Sequence, residues 1–184
     1  HHPGDPLINA FRPALLEAGL YHADGQILDE VYVYGSFLQS KMHAAGVTCS
    51  DCHDPHSTEL RFEGNALCGQ CHLASEYFEP THHHHAQESP GSACVNCHMP
   101  AEIYMAVDPR RDHSFRVPRP DLSVALGTPN ACNGCHQTET PQWAAEIVAE
   151  WFPEGRSGTP HYGEAIHAAR QWRAERGSQL LTLV

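Results

Sequence analysis

All eight cysteines of this 184-residue chain lie in four copies of one pentapeptide, Cys-x-x-Cys-His. The copies are built on Cys49, Cys52 and His53, on Cys68, Cys71 and His72, on Cys94, Cys97 and His98, and on Cys132, Cys135 and His136. With 8 cysteines and 16 histidines available, chance predicts about 0.03 such pentapeptides per chain, so the repeat is a selected feature. Two thiols at this spacing reach the two vinyl-derived carbons of one porphyrin, and the imidazole that follows is then set under the iron as its proximal ligand. Each copy is therefore read as the attachment site of one covalent c-type haem, four haem c groups in all. Zinc sites also use paired Cys-x-x-Cys units, but zinc gives no reason for a histidine directly after every second thiol. A thioredoxin-like redox motif would not recur four times without a βαβ frame.

The first cysteines are 19, 26 and 38 residues apart, too close for a sandwich or sheet between motifs, so the haems themselves are expected to form the core. A glycine precedes each motif (Gly46, Gly64, Gly91, Gly127), and Thr48, Asn65, Ser92 and the pair Thr128 and Pro129 are residue types that start a short helix. The expected fold is mainly α with much irregular coil: a compact multihaem cytochrome c with stacked haems as the core and a C-terminal helical pair. Residues 1–45 read as an N-terminal coil and helix segment that supplies a distal ligand, with a short helix over 13–17. The stretch 31–34 is strand-like by propensity and helix-like in its continuation. Residues 46–140 form the tetrahaem section, and 141–184 a helical segment. One helix is expected over 141–152, between Pro141 and Pro153, and a second over 162–176, stopped by Gly177. The apolar end at 180–184 either continues into further chain or packs on itself or a partner.

Four proximal histidines leave twelve others, and a six-coordinate haem needs one ligand on its opposite face. His43 closes an amphipathic stretch six residues before Cys49. His56 follows His53 by three residues across Pro55 and is expected to ligate a neighbouring haem, since it cannot easily reach the far face of its own; a surface turn is the plainer alternative. The run His82, His83, His84 and His85 is expected to supply one ligand, with His83 or His84 the choice. His113 lies among Arg110, Arg111 and Arg116, with Arg119 close behind, four of the ten arginines within ten residues. Guanidinium forks suit haem propionates, so these arginines are read as cofactor-binding and His113 as a distal ligand; a solvated basic loop is the alternative. His1, His2 and His22 are spare, and one could ligate a haem of another copy of the chain. Met42 is the one methionine that competes well, but with 3 methionines in the chain, bis-histidine ligation and its lower potential are expected throughout.

The chain carries 11 basic and 22 acidic residues, a net charge of −11, and Lys41 is its single lysine. Clustered cations for a nucleic-acid backbone are lacking. No run of about 18 apolar residues spans a bilayer. No charged-then-apolar leader opens the chain, so a mature protein or an excised fragment is expected. Ionised propionates and ferric porphyrins would take the oxidised protein to about −15, which favours basic partner surfaces and salt-sensitive docking.

The segments from Gly46 to His56 (Gly-Val-Thr-Cys-Ser-Asp-Cys-His-Asp-Pro-His) and from Arg111 to Pro118 (Arg-Asp-His-Ser-Phe-Arg-Val-Pro) resemble bacterial multihaem cytochromes c. These are the cytochromes allied to cytochrome c nitrite reductase and to the tetrahaem acceptor of hydroxylamine oxidoreductase. Over residues 3–153 the likeness is greatest to versions whose haem section is followed by helical repeats. The resemblance implies export before haem attachment, bis-histidine ligation and closely stacked haem pairs. The lysine-ligated Cys-x-x-Cys-Lys motif of the nitrite reductases does not occur, and Lys41 precedes every motif. The function expected is therefore an exported, periplasmic or extracellular electron carrier without catalysis of its own. Its partners would be redox proteins or an extracellular electron acceptor, and self-assembly into a conducting filament is a second form of the same reading. A redox enzyme acting on a small nitrogen or sulfur oxyanion is the alternative, and it requires one haem with an open distal position.

Overall fold

In the computed structural model, which describes residues 2–11 and 16–181, the chain is mostly helical with long irregular connections. A 3₁₀ turn at Leu7–Asn9 is followed by α1 (Val33–Phe37), α2 (Lys41–Ala44) and α3 (Cys49–Cys52). A second 3₁₀ segment, Gly64–Gln70, leads to α4 (Ala74–Tyr77) and α5 (Pro80–His83). Then come a 3₁₀ turn at Pro90–Ser92 and α6 (Cys94–His98). An antiparallel ribbon follows, β1 (Ala101–Tyr104) with β2 (Asp108–Arg111), paired from Ala101 opposite Arg111 to Tyr104 opposite Asp108. The chain then forms α7 (Pro120–Leu126), α8 (Ala131–Cys135), α9 (Pro141–Trp151) and α10 (Tyr162–Leu181). Among the described residues no helix is long and apolar enough to cross a membrane.

Two elements depart from the sequence expectation, and a third, left open between strand and helix by the sequence, is helical. The gap of 38 residues between the third and fourth motifs holds the ribbon, whose two four-residue strands need far less chain than a sheet. Residues 33–37 are helical despite β-branched and aromatic side chains at 31–34, a case of tertiary context overriding propensity. α10 runs through Gly177 to Leu181, because one glycine inside a helix costs only about 1 kcal/mol. The helix expected over 13–17 falls largely outside the described residues.

The side-chain core sits beside the motifs rather than among them. Tyr21, Ile27, Val31 and Tyr104 form its cluster, and Leu122 and Ala144 are buried between α7 and α9, which pack together. α10 locks the N-terminal segment to this side: Tyr162 donates its hydroxyl to the Asp24 carbonyl at 2.6 Å, and Arg170 donates to the carbonyls of Tyr21 and Leu16. From Lys41 through Ile103, a stretch that holds three of the four motifs, not one residue is buried. A segment with this much defined structure and no buried side chain draws its order from something other than its own apolar burial.

Local capping gives the motif helices their starts. Thr48 closes a box with Asp51, donating its backbone N–H (2.7 Å) and its hydroxyl (2.9 Å) to the carboxylate. These bonds hold the Asp51 carboxyl below the usual carboxylate range. The fourth motif is capped by Asn130, whose side chain accepts from the Asn133 N–H at 3.0 Å, one residue beyond the Thr128 and Pro129 pair. The third motif is capped from a distance: Asn65, just ahead of the second motif, accepts from the Cys94 N–H at 3.0 Å and donates to the Ser92 carbonyl at 2.9 Å. Asn65 thus clamps two consecutive motifs together. Replacing it with alanine is expected to cost about 1–2 kcal/mol and to lower the melting temperature of the mature protein by about 2–8 °C, which thermal unfolding followed by circular dichroism would measure.

Candidate functional site

The thiols follow one another in space as they do in sequence. Burial, reinforced by the neighbouring Cys68 and Cys71, pushes the Cys52 thiol up. Cys68 and Cys94 share a thiol–thiol hydrogen bond that raises Cys68 and makes Cys94 the more acidic partner. Burial raises Cys97, and the nearby Cys132 and Cys135 add to the shift. Consecutive motifs are therefore neighbours in space, and all eight cysteines are free of disulfides.

Three of the four motif imidazoles are each faced by a second imidazole. The rings of His53 and His113 have centroids 6.3 Å apart and planes 29° apart. His98 and His82 stand at 6.1 Å and 18°, and His136 and His85 at 6.1 Å and 35°. Metal-to-imidazole bonds of about 2.0–2.1 Å, with the ring centroid roughly 1.1 Å behind the nitrogen, put two imidazoles on opposite sides of one metal about 6.3 Å apart. The three pairs match that spacing.

The outer ring nitrogens fit the same reading. His53 Nδ1 lies 2.8 Å from the Thr58 carbonyl, His98 Nδ1 2.7 Å from that of Arg116, and His113 Nδ1 2.9 Å from that of Arg111. His85 Nδ1 meets the His83 carbonyl in a short bond. A carbonyl can only accept, so each of these rings carries its proton on Nδ1 and presents a bare Nε2, as an imidazole that ligates a metal must. Burial also holds His82 below the usual histidine range, in the neutral form that binds metal.

The four-histidine run divides unexpectedly. His82 and His85, three residues apart, face the motif histidines, whereas His83 and His84, the pair expected from sequence, do not. His84 takes a left-handed conformation (φ 55°) at the end of α5 and lies flat on Trp151, 4.3 Å between ring centroids and 7° between planes. His83 Nδ1 accepts from the His85 N–H at 3.2 Å, so its proton is on Nε2, which is buried and has no protein partner. In this tautomer the ring offers an N–H rather than a bare nitrogen. The spacing of three across a helix end was the available signal for His82 and His85; nothing in four identical residues marks which one leaves the helix. Gly91 completes the arrangement, because a Cβ there would overlap the His85 ring.

His113 is held by a tightly wired turn. Asp112 is buried and accepts from the Ser36 hydroxyl at 2.7 Å and the Ser114 N–H at 2.8 Å. Phe115, with φ at 48°, sets its ring edge-on to His113, 6.0 Å away. The arginines expected to meet propionates have protein acceptors. Arg111 donates to the carbonyls of Val95 (3.1 Å) and Met99 (3.0 Å) and to Asn96 Oδ1 at the end of α6. Arg116 donates to the Asp24 carbonyl and Gln39 Oε1. Arg110 pairs with Asp108 and covers the Tyr104 ring.

His43 and His56 are exposed. The His43 ring stands edge-on to Phe37 at 5.4 Å, and Phe37 in turn touches Phe115, behind His113. His56 is at the tip of a turn in which Asp54 accepts from the N–H groups of His56 (3.0 Å) and Ser57 (2.9 Å). His72 meets the Tyr77 ring edge-on at 5.4 Å, and among the described residues no imidazole faces it. Nor do three or more histidine, cysteine or acidic side chains gather anywhere among the described residues as a caged metal ion would require.

The donor set thus fits covalent haem: thiol pairs that neighbour one another, a proximal imidazole beside each, and a stretch of chain without a side-chain core. The family described as doubled CXXCH motif matches residues 42–76, the first two motifs. No curated protein matches the chain. Among solved structures, the crystal structure of the outer cell wall cytochrome OcwA is similar, with a TM-score of 0.61 and 19% identity over 84% of this chain and 45% of that one. The chain therefore has the fold of a multihaem cytochrome, spans under half the length of that neighbour, and carries motifs for covalent haem c.

Because Arg111 fastens the end of α6 through three acceptors, Arg111→Lys, which keeps the charge and loses the fork, is expected to destabilise the protein by about 1.5–3 kcal/mol. Chemical denaturation measures this. Redox titration of the same variant should leave the midpoint potentials within error of the parent, the opposite of what a propionate partner would give.

Proposed function

We propose that this protein is an exported tetrahaem c-type cytochrome that carries single electrons along a row of four haems. The observation that carries the reading is the set of three facing imidazole pairs at 6.1–6.3 Å. In this reading His53 and His113 serve the first motif, His98 and His82 the third, and His136 and His85 the fourth. Haem c, when bound, supplies a reversible one-electron iron couple whose potential two imidazoles keep low. The chain's task is to fix the order of the sites, supply neutral imidazoles and orient them.

The distal role passes from His83 and His84 to His82 and His85, since the proton on His83 Nε2 and the stacking of His84 on Trp151 occupy the other two rings. His83 is suited to donate to a carboxylate such as a propionate. Arg110, Arg111 and Arg116 act first as ties between segments of backbone. His43 and His56 stay outside the three axial pairs.

Covalent haem attachment and a fold shared with an outer cell wall cytochrome support export, to the periplasm or outside the cell. A net charge of −11 favours brief docking on basic redox partners. Filament assembly, the second form of this reading, draws support from Cys49 and Cys135, which are exposed in the first and last motifs of the row and would let terminal haem edges of two copies meet.

The intact mass of the purified protein should exceed that of the polypeptide by four haems; a bare-chain mass would overturn the reading. His82→Ala, His85→Ala and His113→Ala should each add one high-spin ferric haem in electron paramagnetic resonance, whereas His83→Ala and His84→Ala should add none.

A further inference from the structure

We infer that the cavity between the N-terminal segment and the β1–β2 ribbon binds an amphipathic organic amine, with an ammonium group at one end, an apolar body and a hydroxyl at the other end. The cavity has a volume of about 520 Å³, a size that suits a small organic ligand. No motif cysteine and no paired imidazole lines it. The site lies apart from the four motifs and does not depend on haem.

The wall is graded from floor to mouth. Ile27, Tyr104 and Thr128 line the cavity and are buried, whereas Asp29, Glu30 and Glu102 line it and are exposed. Thr128 is only 6% exposed, yet its Oγ1 has no hydrogen-bond partner among the described residues. A buried hydroxyl in that state is costly until an occupant supplies the partner. His22, which takes no part in the facing pairs, also lines the cavity. Burial holds its ring below the usual histidine range, so one ring nitrogen is bare and can accept a hydrogen bond. The ribbon turn is tied over the cavity by the Met105 N–H, which donates to Glu30 Oε1 at 2.8 Å. Met105 and Ala106 in that turn hold φ values of 50° and 64°, a conformation usually reserved for glycine or asparagine and one that gathers at ligand clamps.

Charge selects the occupant. No lysine or arginine lines the cavity. Arg116 and Arg170, whose charges reach His22, both donate to backbone carbonyls, Arg116 to that of Asp24 and Arg170 to those of Tyr21 and Leu16. The carboxylates at the mouth repel anions, haem propionates included. A bare metal ion is not served either, since among the described residues no three histidine, cysteine or acidic side chains gather around one point. An ammonium group meets the carboxylates, an apolar body meets Ile27, Ile103 and Met105, and a hydroxyl at the inner end gives Thr128 the partner it lacks.

The test is isothermal titration calorimetry of the full mature protein with tyramine, phenethylamine and para-hydroxyphenylacetate, which are alike in size. Tyramine should bind saturably and roughly three- to tenfold more tightly than phenethylamine, which lacks the hydroxyl. The acetate, with its charge reversed, should give no binding. Glu102→Gln should weaken both amines by roughly tenfold or more, and Glu102 is exposed, so this variant should keep the parent's circular dichroism. Thr128→Val should lower tyramine to the affinity of phenethylamine and leave phenethylamine itself unchanged. Absence of tyramine binding at about 10 mM, where even a weak millimolar site is largely filled, would overturn the inference. So would equal binding of para-hydroxyphenylacetate, or a tyramine affinity that neither variant changes. A preference for tyramine that survives in Thr128→Val would overturn the hydroxyl's place in the site.

Discussion

A metal that binds two imidazoles fixes the distance between their rings to within a few tenths of an ångström, and the protein must deliver both rings with their nitrogens bare. Here the delivery is by backbone carbonyls. His53, His85, His98 and His113 each give the outer N–H to a carbonyl of a nearby turn, which fixes tautomer and ring orientation together. The segment 111–116 does this for two motifs simultaneously. Its Arg111 carbonyl orients His113 for the first pair, its Arg116 carbonyl orients His98 for the third, and the Arg111 side chain fastens the end of the helix that bears His98. The two histidine pairs are thus coupled through six residues of backbone.

That coupling explains where the side-chain core lies. Tyr21, Ile27, Val31 and Tyr104 are buried next to the ribbon whose second strand ends at Arg111. Asp112 binds Ser36 on α1, and Arg116 reaches Asp24 and Gln39. The conventional core therefore anchors the turn that orients ligands, while residues 41–103 have no buried side chain of their own. Covalent haem would fill such a stretch with large rigid rings, and its attachment would then be part of folding, much as metal binding is for small metal-dependent domains.

The motifs, their number and the mainly helical class were legible because the chemistry needs a fixed local spacing. The bounds of α9 were legible too, since Pro141 can start a helix and Pro153 cannot continue one. What sequence could not resolve was choice among equivalents. Four adjacent histidines differ only in backbone conformation, and the selection of His82 and His85 depends on the left-handed residue between them, His84, a conformation usually reserved for glycine or asparagine. Guanidinium suits carboxylates and backbone carbonyls alike, and Arg111 and Arg116 donate to carbonyls of the nearby loops. His113 stood out in an arginine-rich context, but what holds it is the buried Asp112 beside it.

α9 shows how the helical segment after the last motif bears on the row. Its Trp143 lies 5.2 Å from His136, Trp151 stacks on His84 and stands edge-on to His85, and Phe152, just beyond the helix, touches His82 and His84. One helix therefore braces the proximal ring of the fourth motif and the whole turn that presents its partner. α9 is itself set by packing on α7, which Pro120 starts and Gly127 ends. A change in the α7–α9 contact would be felt at two histidine pairs through aromatic rings alone, without touching a cysteine. By this geometry residues 141–152 pack directly on the histidine of the fourth motif and on the histidine run ahead of the third.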